Sequence, residues 1–217
     1  MRYDFREKAV EGGLAALALL SLAVLAGIVF YLFREGLPVF ASTGFLDFVF
    51  GTDWYPVGDQ PDFEIGSLIA GSLAVTFLAS LFAVPLGLMT AAYLSEVAAN
   101  TTRRIIKPFI ELLAALPSVV IGFIGMVLVA PWLQNTLGIA TGLNLFNAAL
   151  MLAFMAVPTI CSIAEDALHA VPRSLKDASL ALGATPWETL KNVTFPYALS
   201  GVGTAVMLGM SLSLIHI

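Results

Sequence analysis

The sequence predicts an all-α polytopic membrane protein. Of its 217 residues, 59% are hydrophobic and 12% are charged, and the mean hydropathy is +0.93. Soluble domains have about 45–50% apolar and about 25% charged residues, so this composition excludes a soluble globular protein. Disorder is excluded because disordered chains are poor in hydrophobic residues. The long apolar runs show no sustained alternation, which argues against membrane-spanning strands and favours helices.

Five apolar stretches are each long enough to form a spanning helix of about 20 residues. They cover residues 10–33, 67–94, 108–133, 145–168 and 198 to the end of the chain. The first stretch is about twice as long as the apolar core of a signal peptide, and no convincing cleavage site follows it. We therefore expect an uncleaved membrane anchor there.

The distribution of basic residues predicts the orientation of the chain. Nine of the ten Lys and Arg residues precede the first stretch or lie in two of the four connections, and Arg34 is the exception. The nine are Arg2, Arg6, Lys8, Arg103, Arg104, Lys107, Arg173, Lys176 and Lys191. Because basic connections are retained inside the cell, we expect a cytoplasmic N-terminus.

The connection 34–66, expected outside, is acidic and aromatic. It contains Glu35, Asp47, Asp53, Asp59, Asp62, Glu64, Phe40, Phe45, Phe48, Phe50, Trp54 and Tyr55. One interpretation is a solvated loop whose aromatic rings rest at the bilayer interface. The other is part of a docking surface for an extracytoplasmic protein. In either case, its negative charge would not attract a small anion.

Catalytic and metal-binding residues are not predicted. A single cysteine and two histidines exclude a disulfide framework and a metal-ligand cluster, and the net charge of −5 argues against a nucleic-acid partner. The acidic residues Glu11, Glu111, Glu165 and Asp166 lie near the ends of apolar stretches, where we expect them to reach water. No basic residue lies in the middle of a stretch, and the hydroxyl residues there have no base beside them. We therefore do not expect an enzyme.

A repeat of small residues marks the fifth stretch. Gly201, Ala205 and Gly209 recur every four residues, which places them on one face of a helix. Small residues at this spacing permit close helix–helix approach in membranes. The repeat fits ordinary bundle packing and also fits a moving pore wall.

The segment 172–196, PRSLKDASLALGATPWETLKNVTFP, predicts two short helices joined by a glycine turn. Ser174 and Asp177 have the spacing of a capping pair at a helix start. Gly183 suits the left-handed residue that ends a helix. Thr185 is followed by a proline and, three residues on, by an acid, as at a second helix start.

The same segment resembles the EAA loop of ABC-importer permeases. That pattern is Glu-Ala-Ala, three residues, Gly, nine residues, Ile, one residue, Leu and Pro. The corresponding residues here, at unchanged spacing, are Asp177, Ala178, Ser179, Gly183, Val193, Phe195 and Pro196. The resemblance implies an ATPase-coupling loop in which Gly183 supplies the turn. The residues expected to carry docking contacts are Leu175, Ala178, Leu182 and Trp187.

Three further stretches, 50–76, 83–98 and 116–133, resemble the PstC-type permease family of phosphate ABC importers. The resemblance implies a type I ABC-importer permease bundle. It divides the chain into a cytoplasmic N-terminus with the first span (1–33), the extracytoplasmic segment 34–66, and a permease core (67–217). The core contains the other four of the five predicted spans, and members of the family have one further span.

The implied function is ATP-driven import of inorganic phosphate across the cytoplasmic (inner) membrane. The implied partners are a PstA-type permease subunit, a PstB-type ATPase dimer, a PstS-type phosphate-binding protein and membrane lipid. ATP and Mg²⁺ would be bound by the ATPase, and no cofactor is expected in this chain. The alternatives are an ABC permease for another oxyanion, such as sulfate or molybdate, and a membrane scaffold or membrane-embedded enzyme.

The sequence departs from the family after Ser211. Family members continue with an Arg-Ala-Ile-Gly-Glu-like motif and a further span, whereas this sequence reads Leu-Ser-Leu-Ile-His-Ile. No residue here inherits the roles that the arginine and glutamate have in phosphate passage, so no substrate-binding residue is assigned. We therefore expect a permease that is incomplete at its C-terminus.

Overall fold

Helices make up most of the structure, a computed structural model that describes residues 2–57 and 61–215. For residues 2–6 and Ala9 only the backbone is described. Asp59, one of the predicted acidic residues, lies outside the described residues, as does the end of the fifth predicted span beyond Ile215. The chain divides into two compact units, Met1–Ile69 and Ala70–Ile217.

The described part of the first unit contains three complete helices, a two-stranded sheet and the start of a fourth helix. The complete elements are α1 (Arg2–Gly36), α2 (Val39–Thr43), α3 (Phe45–Phe50), β1 (Trp54–Tyr55) and β2 (Asp62–Phe63). The apolar side chains of α1 from Val10 to Phe33 are exposed around the whole helix. A helix that is hydrophobic on all sides is typical of a membrane span.

The segment predicted as an acidic and aromatic loop has secondary structure of its own. Its two strands pair antiparallel, and the rings of Trp54 and Phe63 lie opposite each other with centroids 6.4 Å apart. The Asp53 amide donates to Glu64 Oε2 at 2.8 Å. Cross-strand aromatic pairs stabilise such hairpins. The segment is therefore folded, which composition alone does not reveal.

The second unit is helical throughout the part of it that the structure describes. Helix α4 (Gly66–Ala92) begins in the first unit and continues through a π-helical turn, Tyr93–Val97. It is followed by α5 (Asn100–Ala114), α6 (Ser118–Ile124), a π-helical turn (Gly125–Val129), α7 (Ala130–Leu137) and α8 (Leu145–His169). The last described elements are α9 (Arg173–Ala181), α10 (Pro186–Thr189), a third π-helical turn (Leu190–Thr194), α11 (Phe195–Tyr197) and α12 (Leu199–Ile215).

Within residues 2–57 and 61–215, four helical segments are long and apolar enough to cross a bilayer, and a bent pair supplies a fifth if it forms one span. The four are Val10–Thr43, Gly66–Val97, Ser118–Leu137 and Leu145–His169. The pair, Pro186–Tyr197 and Leu199–Ile215, is bent by 75°. The prediction of an all-α polytopic membrane protein is confirmed.

The predicted start of the third span at Pro108 is wrong. Pro108 lies inside α5, and the helix breaks instead at Pro117, the N-cap of α6. Proline disfavours helical conformation in the residue before it, so Pro117 separates the two helices. The apolar residues of α5 therefore belong to a separate helix that precedes the span.

Helix α8 packs against the small-residue face of α12. A Cβ atom at Gly201 would lie 2.6 Å from the Ala167 Cβ, and one at Gly209 would overlap Ile160. Ala205, between them, is fully buried. Residues larger than glycine would push these helices apart, so small side chains set their close approach.

Candidate functional site

The segment between α8 and α12 folds into two short helices separated by a glycine turn. Gly183 has a φ of +89°, which is the left-handed conformation predicted for it. Its amide donates to Leu180 O at 3.0 Å, and the Ala184 amide donates to Ser179 O at 3.2 Å. These two bonds form a Schellman motif, which satisfies the last carbonyls of α9 and fixes the direction of the chain beyond it.

The capping role predicted for Ser174 and Asp177 is wrong. Pro172 is the N-cap of α9, and no side chain caps the helix. Pro172 has a ψ of 130°, which is not helical, so the helix begins at Arg173 and Ser174 is already its second residue. Asp177 is exposed.

The second helix start has the predicted capping box. The Thr185 amide donates to Glu188 Oε2 at 2.8 Å, and the Glu188 amide donates to Thr185 Oγ1 at 3.3 Å. Helical structure then continues through the π-helical turn Leu190–Thr194 to Tyr197, one residue past Pro196. Both ends of the glycine turn are therefore held by hydrogen bonds.

The inner side of this segment packs against the bundle. Ser179 Oγ lies 3.0 Å from Thr189 Oγ1, which joins α9 to α10. Thr194 is fully buried, Val193 is half-buried, and Phe195 packs against the core cluster that α4, α8 and α12 share. A displacement of the segment would therefore be transmitted to these helices through the contacts.

The outer side of the segment carries the residues predicted to dock a partner. Leu182 is 90% exposed, Trp187 is 69% exposed and Leu175 is 39% exposed. Ala178 is exposed as well. We call these four residues the apolar patch. Exposed clusters of large apolar side chains are typical of surfaces that bind a protein or a membrane.

An ion pair ties α9 to the end of α4. Lys176 Nζ donates to Glu96 Oε1 at 2.6 Å and to Leu168 O, near the end of α8, at 3.4 Å. Glu96 lies in the π-helical turn that ends the α4 span, and π-helical turns are frequent at functional sites. A groove of about 550 Å³ opens beside this contact, with Trp187 in its wall. This contact was not predicted from the sequence.

A buried carboxylate joins α5 to α8. The Glu165 side chain is 1% exposed, and it pairs with Arg103 and with Lys107, whose Nζ lies 2.7 Å from Glu165 Oε2. Asp166, which is 65% exposed, lies 2.5 Å from the same Nζ. The expectation that Glu165 reaches water is therefore wrong, because α5 packs over this end of α8.

The spacing of the cluster residues in the sequence could have predicted their contact. Arg103 and Lys107 are four residues apart on α5, and Glu165 and His169 are four residues apart on α8. Such spacing places each pair on one helix face. Arg103 Nη1 lies 2.9 Å from His169 Nδ1, which completes the contact.

Hydrogen bonding keeps the Lys107 ammonium charged. Burial lowers its pKa, but the hydrogen bonds to Asp166 and Glu165 and the negative charges of these two carboxylates together outweigh burial and raise the pKa above the ordinary lysine value. The stabilisation from this raised pKa is fully present below about pH 10 and is lost only as pH rises further.

Among the described residues, no group of three or more His, Cys, Asp or Glu could hold a metal ion.

Comparison with known proteins places these features in a family. A family profile described as "Binding-protein-dependent transport system inner membrane component" matches residues 83–217. The chain is 38% identical over 198 residues to the probable ABC transporter permease protein YqgH of Bacillus subtilis, with 90% of this chain and 64% of the relative covered. It is 33% identical over 218 residues to the phosphate transport system permease protein PstC of Mesorhizobium japonicum, with 92% and 66% covered. The chain thus spans about two thirds of the length of the curated relatives it matches.

A solved structure supports the same relationship. A chain in the MetNI methionine ABC transporter, in inward-facing conformations, is 25% identical and superposes with a TM-score of 0.59. The match covers 70% of this chain and 72% of that chain. The helical arrangement described above is therefore similar to that of a known transporter subunit.

Proposed function

The chain belongs to the family of binding-protein-dependent transport system inner membrane components, and we propose that it is the permease subunit of an ATP-driven importer of inorganic phosphate. Membership confirms the resemblance to ABC-importer permeases and the type I permease fold that it implied. The phosphate assignment rests on one observation, the similarity to PstC proteins over most of the chain. A second such relative, from Pasteurella multocida, is 33% identical over 215 residues.

The proposed assembly contains four kinds of subunit. Beside this permease are a PstA-type permease, a PstB-type ATPase dimer that binds ATP and Mg²⁺, and a PstS-type phosphate-binding protein outside the cell. The exposed apolar patch supports the contact with the ATPase, because it supplies apolar side chains that no described part of this chain covers. The positions of the basic residues support a cytoplasmic N-terminus in the inner membrane, with α9 and α10 on the same side.

The proposed mechanism uses the α9–α10 segment as a lever. Closure of the ATPase dimer displaces the apolar patch, and the Schellman motif and the capping box prevent the glycine turn from absorbing the movement. Lys176 passes the displacement to α4 through Glu96, while Phe195 passes it to the core around α8 and α12. The bundle then changes between inward- and outward-facing states, as alternating access requires.

Transport of labelled phosphate by the full-length protein with its partners tests this function. In proteoliposomes supplied with ATP on the ATPase side, we expect phosphate uptake that unlabelled phosphate suppresses and that an excess of sulfate or molybdate leaves unchanged. A complex containing an ATPase variant that binds but cannot hydrolyse ATP is the control. Uptake suppressed by sulfate or molybdate would assign the permease to another oxyanion, and uptake without hydrolysis would contradict ATP-driven import.

A further inference from the structure

A basic cavity lies beside the start of α5, and none of the four residues of the apolar patch lines it. Its volume is about 450 Å³, and its walls include Asn100, Arg103, Arg104, Lys107, Glu111 and Arg173. Two of the four cations, Arg103 and Lys107, are held in place by the carboxylates of Glu165 and Asp166 on α8. The cavity wall is therefore built on a buried ionic cluster.

The other two cations are available to a ligand. Arg104 and Arg173 are exposed, and neither forms an ion pair within the described residues. Counting the three nearby carboxylates, Glu111, Glu165 and Asp166, against the four cations leaves one net positive charge. A concave surface with unpaired cations attracts an anion.

The outer face of α5 is apolar next to this cavity. Ile105, Phe109 and Leu112 are exposed and spaced by four and three residues, so they share one face of the helix. Helix α5 itself is not among the segments long and apolar enough to cross the bilayer. A short helix with a basic side and an apolar face is typical of a helix that lies in the membrane interface.

We propose that this cavity binds the phosphate group of an anionic phospholipid. Arg104 and Arg173 contact the headgroup, and the acyl chains lie along Ile105, Phe109 and Leu112. The headgroup shares its phosphate chemistry with inorganic phosphate, but only the lipid also uses the apolar face. The proposal rests on the membrane orientation proposed above, which puts α5 at the cytoplasmic surface, where basic sites recognise anionic lipids.

Retention of phosphatidylglycerol by the purified transporter complex tests the proposal. Native mass spectrometry would measure its binding to the complex and to a variant with Arg104→Gln and Arg173→Gln. Each arginine near an anionic headgroup contributes about fivefold to affinity, so the double variant is expected to bind phosphatidylglycerol about 25-fold more weakly. Lys191→Gln, at an exposed cation outside the cavity, is the matched control and should bind as the unmodified complex does.

Competing ligands distinguish the sources of the phosphate group. We expect phosphatidylcholine and inorganic phosphate to leave bound phosphatidylglycerol in place. Equal binding by the double variant, displacement by inorganic phosphate, or loss of the lipid when the ATPase assembles would each overturn the proposal. The measurement needs no transported anion, so it keeps its meaning if the complex proves to import sulfate.

Discussion

Replacing Glu165 with glutamine is expected to destabilise the folded permease by about 3 kcal/mol, because it removes one partner of a buried ion pair. The side chain is 1% exposed and faces the cations of Arg103 and Lys107. In the glutamine variant, the positive charges of Arg103 and Lys107 remain beside the core without the carboxylate that they share. The expected destabilisation is at the low end of the range for removal of one partner from a buried ion pair, because the side chains of Arg103 and Lys107 are partly exposed. Thermal unfolding of the purified full-length protein would measure the change.

Asp166→Asn supplies the matched control for this prediction. Asp166 contacts the same Lys107, but its side chain is 65% exposed, and exposed ion pairs contribute about 0–1 kcal/mol. Equal destabilisation by the two variants would show that the buried carboxylate has no special role.

Apolar replacement of Glu165 together with its two cations separates lost charge pairing from lost packing. A variant carrying Arg103→Met, Lys107→Met and Glu165→Leu should recover most of the stability that Glu165→Gln loses, because hydrophobic side chains can replace a buried ion pair. A triple variant as unstable as Glu165→Gln would mean that packing at this position, and not the unpaired charge, determines stability.

Gly183→Val is expected to uncouple ATP hydrolysis from uptake. The φ of +89° costs a β-branched residue about 1–3 kcal/mol, so valine would disrupt the Schellman motif between α9 and α10. A turn that bends under load would absorb the displacement that the apolar patch receives. The ratio of phosphate taken up to ATP hydrolysed should therefore fall, while the ATPase rate is largely kept.

The control for this prediction is Gly183→Asn. Asparagine adopts left-handed backbone conformations much more readily than valine, so this variant should retain most of the coupling. A valine variant with an unchanged ratio would contradict the lever mechanism. Loss of coupling in both variants would show that the turn requires a residue without a side chain, and not merely one that adopts a left-handed backbone.

Local signals predicted the fold and the turn well. Both kinds of signal depend only on residues that are close in the chain. These signals are the hydropathy of each span and the spacing of Gly183, Thr185 and Glu188, and they can be read without knowing the tertiary structure. The burial of Glu165 was not predictable in this way, because its partner Lys107 is 58 residues away and only the packing of α5 brings the two together. The cap predicted at Ser174 is wrong although its signal is local, because Pro172, two residues earlier, is the N-cap of α9.

Cross-linking at Leu182 tests the central claim, that the α9–α10 segment receives the ATPase on the cytoplasmic side. Leu182 is 90% exposed, and the native Cys161 is buried, so Leu182→Cys would add an accessible thiol. In inside-out membrane vesicles, a membrane-impermeant thiol-reactive cross-linker should join it to the ATPase subunit, whereas Val57→Cys, 92% exposed in the segment expected outside, should not react. A complex that imports its substrate yet gives no cross-link, or in which an impermeant reagent reaches Leu182→Cys only from outside the cell, would contradict the account.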